Sequence, residues 1–319
     1  MPAIALVAAI IAFLMAGLIL AGALLGNIAY LPFALVPLVA GIGILRRRMW
    51  SAYGLALFLG MQLLLLPLIA DRSQGADLAA KIGALVSSGL SLILSVLFFF
   101  AGRSLAKTGS PAGHPLPWIA LSVLVTFPLF FVEPFVNPTG SMEDTLLIGD
   151  RILVRLIPRL KPDRGDLIVF HFPVDRHQTF IKRIIGMPGD HIRIADKIVY
   201  RNGAMLQEPY VRHKAGYPDS YRDNFPGGES AVSMLPTAQA MLKTNVVNGE
   251  VVVPAESYFV LGDNRDNSLD SRYWGFVGFQ DLIGKPLLVY DSVESSTANE
   301  PGSSPVPSRR RWGRLFHLL

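Results

Sequence analysis

The sequence predicts membrane-spanning α-helices followed by a mainly-β domain, and three observations carry that prediction. The mean hydropathy is +0.41 with only 17% charged residues, too apolar for an ordinary soluble chain of 319 residues. The apolar residues are concentrated in residues 1–136. Between about 140 and 290, short β-branched and aromatic runs alternate with Pro, Gly, Asp and Asn, the pattern of strands joined by turns. The predicted organisation is a membrane domain over 1–136, a β domain over 137–290 and a flexible basic tail over 291–319.

Five apolar segments stand out in the first part, about 3–25, 28–45, 52–70, 81–101 and 118–136. Each has roughly the ~20 residues that carry a helix across ~30 Å of hydrocarbon. The first lacks a basic leader and is too long for a cleaved signal peptide. Arg46, Arg47 and Arg48 separate segments two and three, and Arg103 and Lys107 separate four and five. The alternate loops hold only Arg72 and, at a segment edge, Lys81. Basic loops stay on the cytoplasmic side, so five crossings place everything after residue 136 outside. The Gly26-Asn27 boundary between the first two segments is the weak point: if that pair is a single bent element the N-terminus flips, while the domain after segment five keeps its side.

In the second part, the strand-like runs include Arg151–Arg155, Asp166–Phe170, Phe180–Ile185, His191–Ile194, Lys197–Tyr200, Tyr258–Leu261 and Leu287–Tyr290. Met187-Pro-Gly-Asp190 reads as a turn, and Asn202-Gly203 as a hairpin connection. Long helical patterns are missing, which favours a sandwich or barrel-like sheet over α/β. Residues 204–250 are poorer in strand signal and read as an insertion. The tail is Ser/Pro/Gly-rich to Ser308 and then basic and apolar from Arg309. That last stretch suits either a membrane surface or packing on the domain.

The formal net charge is +5, and part of the excess lies in the Arg46–Arg48 and Arg309–Arg314 clusters. Beside apolar segments, such clusters are more simply contacts with anionic lipid than with nucleic acid. The absence of cysteine excludes disulfides and thiolate catalysis.

Ser141 follows the fifth segment by a few residues, in Pro138-Thr-Gly-Ser-Met142. A lone serine means little without a base. None of His114, His171, His177, His191, His213 and His317 sits in a recognisable triad motif, and no G-x-S-x-G elbow occurs. A lysine serves instead if an apolar setting lowers its pKa from ~10.4 toward ~7–8. Lys182 lies in Phe180-Ile-Lys-Arg-Ile-Ile185, where alternation puts Phe180, Lys182 and Ile184 on one face and Arg183 on the other. A third polar block, Gly262–Gly275, is dense in Asp, Asn and Arg. It is not a calcium loop: counted from Asp263, position three is Arg265 and position six is Ser268 rather than glycine.

These blocks, in this order, resemble the bacterial type I signal peptidases. Pro138–Met142 is similar to that family's nucleophile motif, Phe180–Asp190 to its lysine motif and Gly262–Gly275 to its third signature, while Arg164–Phe170 is similar to a fourth conserved strand. The resemblance covers about residues 133–290. It implies a signal-peptidase-like mainly-β catalytic domain with an inserted β subdomain. It implies Ser141 as nucleophile and Lys182 as general base. Thr139 and the Ser141 amide would form the oxyanion hole. Ser268 would orient the lysine, and Asp263, Asn267, Asp270 and Arg272 would brace the site. Phe135, Asn137, Met142, Leu146 and Ile181 would line pockets for small −1 and −3 substrate side chains. It implies no metal and no cofactor. The partners would be signal peptides of exported preproteins and the lipid bilayer, near the secretion translocon, with the domain on the periplasmic side of the inner membrane.

Two positions depart from the family pattern. Asp144 replaces the usual proline, and Asn137 stands where an aliphatic residue is common. Competing classes fit less well. A self-cleaving repressor would need a DNA-binding domain, and a transporter would need charged or broken helices lining a pathway. A catalytically dead scaffold would not need Ser141, Lys182, Thr139 and Ser268 together.

Overall fold

The computed structural model of the chain describes residues 1–25, 31–63, 78–109, 114–126, 131–156, 162–228, 233–294 and 309–319. Residues Met1–Val132 and Glu133–Leu319 form two compact units.

The first unit contains helices α1 (Ala3–Leu25), α2 (Leu31–Leu45), α3 (Met49–Gln62), α4 (Leu78–Lys107) and α5 (Leu116–Thr126). On α1 the small residues Ala5, Ala8, Ala9, Ala12 and Ala16 are buried, while Leu6, Val7, Ile10, Leu14 and Leu18 are exposed. Small side chains let helix backbones approach closely, and the bulky apolar ones face outward. Among the described residues, two helical stretches are long and apolar enough to cross a membrane, Ala3–Ala21 and Ser88–Lys107. The segments expected at 28–45, 52–70 and 118–136 meet α2, α3 and α5, helices of 15, 14 and 11 residues. The Gly26-Asn27 boundary and Arg72 lie outside the described residues.

The end of the expected fifth segment is a correction. Val132–Val136 is strand β1, already joined to the β unit, so the boundary falls at Val132 rather than 136. Apolarity alone marked this run. Its β-branched and aromatic residues suit a pleated, half-buried edge equally well.

The second unit is built on a nine-stranded sheet. Its strands are β1, β2 (Asp150–Leu156), β3 (Leu167–His171), β4 (Thr179–Gly186), β10 (Ser257–Leu261), β11 (Val277–Gly278), β12 (Leu282–Glu294), β13 (Arg309–Arg310) and β14 (His317–Leu318). The order is β1-β2-β12-β3-β4-β10-β11, with β13 and β14 both added to β12. The strand bearing Lys182 is interior: β4 is antiparallel to β3 with Ile168 opposite Lys182, and to β10 with Val260 opposite Ile184.

A five-stranded sheet of β5 (His191–Ala195), β6 (Ile198–Arg201), β7 (Ala204–Met205), β8 (Val246–Val247) and β9 (Glu250–Val252) has the order β7-β6-β5-β9-β8. It starts at His191, ahead of the 204–250 region. That region supplies β7, β8 and the helices α6 (Ser220–Asp223) and α7 (Pro236–Thr244). The Asn202-Gly203 connection between β6 and β7 has φ of 53° and 79°, the doubly left-handed turn that this dipeptide favours.

The expected tail is a second correction. β12 continues to Glu294, past the predicted domain end at 290, and Arg309–Leu319 is docked on it rather than free. The linker 295–308 lies outside the described residues.

Candidate active site

The backbone extends through Thr139 and then tightens into a single 3-10 turn, Gly140–Met142, which presents Ser141. From the neighbouring interior strand, Lys182 Nζ reaches Ser141 Oγ at 2.7 Å. Ser141 is 8% exposed and Lys182 4%. Lys182 shares its face with Phe180, whose ring centroid lies 5.6 Å from Nζ, and with Ile184 in the adjoining apolar cluster. Burial pushes the amine down from its ordinary 10.5 to about 8, against the opposing pull of the Asp270 and Asp263 carboxylates. Thr139 Oγ1 stands 3.2 Å from Ser141 Oγ on the other side.

The serine and the lysine open into a cleft of about 490 Å³, lined also by Phe135, Asn137, Ile181, Ser268 and Leu269. A buried amine takes a proton from a hydroxyl when it is neutral, and at a pKa near 8 a usable fraction is neutral at physiological pH.

The remaining expected residues divide. Phe135 and Ile181 line the cleft. Asn137 does too, but its amide is engaged: Nδ2 donates to Thr139 O and Leu147 O, both at 3.0 Å, so it ties together the loop that carries Ser141. Met142 and Leu146 are not cleft residues in this structure. Both are fully buried in the apolar cluster beneath the loop, with Ile152, Val154 and Val289. Of the side chains that follow Ser141, Met142 and Leu146 turn inward while Asp144 stays exposed.

Ser268 lies in the cleft, yet no hydrogen bond joins it to Lys182, and its buried Oγ has no hydrogen-bond partner among the described residues. It remains near enough to the Asp270 carboxylate to help hold it ionised. Burial opposes the Asp270 charge, but the Arg272 guanidinium overrides that, with Nε and Nη2 each donating at 2.8 Å. Asn267 lines the cleft, and its backbone N–H donates to Asn264 O at 3.1 Å.

Three bracing residues were not singled out beforehand. Arg183, next to Lys182, donates to both carboxylate oxygens of Asp263, at 2.8 and 2.6 Å, and stacks on Tyr210. Thr145 Oγ1 donates to the same carboxylate at 2.6 Å. Asn264 donates from N to Ser141 O at 3.1 Å and from Nδ2 to Gly140 O at 3.0 Å, fixing the Gly140–Met142 turn. A charged residue inside an otherwise apolar strand was the available signal for Arg183. Gly262 permits the close approach, since a Cβ there would collide with Ser268 Oγ and Ser141 O.

The Asp144 departure also finds a place. Its exposed carboxylate accepts from Arg212 Nε at 2.7 Å and from Lys214 at 3.4 Å, while Lys214 pairs with Glu143 at 2.6 Å. Arg212 N donates to Asp263 O as well, so one segment touches both the Ser141 loop and the third block. Among the described residues, no group of three or more His, Asp or Glu side chains forms a metal-binding cluster.

The mainly-β unit thus holds a serine hydroxyl against a buried lysine amine in a cleft of mixed polar and apolar lining. Residues 115–290 match the family described as signal peptidase, peptidase S26. The chain is 39% identical over 167 residues to the probable signal peptidase I-2 of Synechocystis sp., covering 50% of this chain and 63% of that one. It is 33% identical over 216 residues to signal peptidase I of Pseudomonas aeruginosa, covering 58% and 74%. A crystal structure of a signal peptidase I from Enterococcus faecalis V583 aligns with 30% identity over 40% of this chain and 97% of that one, at a TM-score of 0.26. The chain belongs to the peptidase S26 signal peptidases, and within them to the bacterial type I enzymes, which are serine endopeptidases.

Proposed function

We propose that this chain is a multi-pass membrane enzyme that removes signal peptides from exported preproteins, with Ser141 as nucleophile and Lys182 as general base. The observation that carries the reading is the 2.7 Å contact between a serine hydroxyl and a buried amine whose pKa falls to about 8. Neutral Lys182 takes the Ser141 proton as Oγ attacks the carbonyl after a small residue. The Ser141 N–H and Thr139 hydroxyl receive the oxyanion; one such donor is typically worth about 3–4 kcal/mol. Lys182 then protonates the leaving amine and activates water to release the acyl-enzyme. Phe135 and Ile181 give the cleft an apolar wall suited to small −1 and −3 side chains.

The outward-facing Leu and Ile side chains of α1, over an inward stripe of alanines, support burial of the first unit in lipid. The basic loops support a periplasmic catalytic unit in the inner membrane, within reach of the translocon. Signal peptides hold their apolar core in the bilayer, so their cleavage sites emerge beside a nucleophile tethered close to the last helix. Incubation of the purified chain with a model preprotein, followed by sequencing of the new N-terminus, tests the reading. Cleavage after a small residue at the signal-peptide boundary supports it, and no cleavage, or cleavage elsewhere, rejects it. A reporter fused after Glu294 tests the orientation; a cytoplasmic signal would overturn the topology.

A further inference from the structure

The Arg309–Leu319 segment, whose charges suggested a lipid contact, spends most of them inside the protein. Arg310 Nε pairs with buried Asp291 at 3.0 Å. Arg311 Nη1 donates to Ile148 O at 3.0 Å and to Ser292 Oγ at 3.1 Å. Arg314 donates to Asp150 through Nε at 3.1 Å and Nη2 at 2.6 Å, and Nη2 also reaches Thr145 O at 2.9 Å. By contrast, Trp312 and Phe316 are each 67% exposed, so burial of the large aromatic side chains is not what seats the segment.

What the arginines hold is the loop that presents the nucleophile. Asp150 is fully buried at the far end of that loop. Its carboxylate accepts from Leu147 N at 2.8 Å and from Ser292 Oγ at 2.6 Å, and its carbonyl accepts from Asn137 N at 2.8 Å. Asn137 in turn holds Thr139, whose hydroxyl meets Ser141 Oγ. A buried carboxylate needs a cation, and loop carbonyls turned inward need donors. Among the described residues, the cations on Asp150 are Arg314 and, at 4.0 Å, Arg311, both from this segment. The segment's Leu319 packs against the apolar cluster that contains Met142 and Leu146.

We infer that Arg314, assisted by Arg311, is a positioning residue for peptide cleavage, holding the Asn137–Asp150 loop so that Ser141 stays in register with Lys182. The inference rests on the Ser141/Lys182 reading and extends it. Thr145 is gripped at both ends, by Arg314 at its carbonyl and by Asp263 at its hydroxyl, which makes it the point where the segment acts on the site.

The test is steady-state cleavage of a preprotein peptide by the full chain, expressed per folded molecule, with melting temperatures recorded. The chains compared are the parent, Arg314→Lys, Arg314→Ala, Arg309→Ala and Ser141→Ala. Lysine keeps a charge for Asp150 but cannot also span to Thr145 O, because it lacks the planar fork. Arg314→Lys is therefore expected to melt close to the parent, yet to lose about ten-fold in kcat with KM within about two-fold, the signature of misplaced reacting groups. Arg314→Ala loses more and regains part of its rate when guanidinium is added at low concentration. Arg309 is exposed, and Arg309→Ala cleaves like the parent. Parental kcat in Arg314→Lys, or a loss confined to KM, overturns the inference. If Arg314→Ala does not fold, Arg314→Lys decides. Activity in Ser141→Ala would strike the dyad itself, whereas a parental Arg314→Lys beside a dead Ser141→Ala strikes the positioning role alone.

Discussion

Arg183 and Asp263 form a two-point ion pair that fastens the lysine strand to the third sequence block, one residue away from the Lys182 amine. The carboxylate is fully buried and the guanidinium nearly so, at 12% side-chain exposure. Removing the cation would strand a buried charge whose remaining side-chain partner is Thr145. Arg183→Met is therefore expected to destabilise the catalytic unit by about 3–5 kcal/mol. Urea denaturation of the unit's tertiary signal measures this, and a change under about 1 kcal/mol would show that the pair is not bracing the site.

Gly262 separates geometry from charge. Alanine there adds no charge and removes no hydrogen bond, but its Cβ meets Ser141 O and Ser268 Oγ. Gly262→Ala is expected to lower kcat by about 100-fold, the scale of a displaced nucleophile. Kinetics of the purified variant check it, and near-parental turnover would mean that the turn relaxes freely.

Lys182 gives a stability signature independent of activity. Its folded pKa is about 8, against 10.5 for the ordinary amine. Between those values the unfolded chain holds the proton and the folded chain does not, so this group makes stability rise with pH across that window. Below about 8 both states are protonated, and burial of the charge costs on the order of 3 kcal/mol. Lys182→Met is expected to be inactive, more stable than the parent near neutral pH, and without that rise. Melting temperatures across the window decide it, and a parent curve flat from 8 to 10.5 would contradict the buried amine.

Asp190 sets an acid limb. Burial opposes its charge, but hydrogen bonds from Arg164, the Met187 amide and Asn202 win and hold it at about 2. Its contribution is present above the ordinary 3.8 and is lost as pH falls toward 2. The full shift is worth at most about 2 kcal/mol, and less because Arg164 is half exposed and screened by solvent. Arg164→Ala is expected to unfold at a higher pH than the parent in an acid titration followed by circular dichroism; coincident transitions would reject the role.

Ser141 and Lys182, which the structure brings to 2.7 Å, were legible because each sits in a local pattern: Ser141 in a turn-forming stretch, Lys182 in an alternating apolar strand. The braces were not, because they join distant stretches. Asp150 and Arg314 are 164 residues apart, and nothing in either neighbourhood marks the other. The Arg309–Arg314 cluster read equally as a lipid contact or a docking element until Asp150 and Asp291 were found buried beneath it. The 118–136 run failed as one helix because its last five residues, Val132–Val136, combine β-prone Val and Phe with Glu133 and Pro134 and form an edge strand. The resemblance places Asn137, Met142 and Leu146 at substrate pockets. In this structure Asn137 lines the cleft while its Nδ2 ties Thr139 to Leu147, and Met142 and Leu146 are buried beneath the Ser141 turn.

The most direct test of the pairing of Ser141 with Lys182 is the pH dependence of kcat/KM for preprotein cleavage by the full chain, from about pH 6 to pH 10. The dyad predicts a rate that climbs with a midpoint near 8, as the buried amine loses its proton. A profile with its midpoint near 6.5, the range of an ordinary histidine, or one with no rise at all, would contradict it.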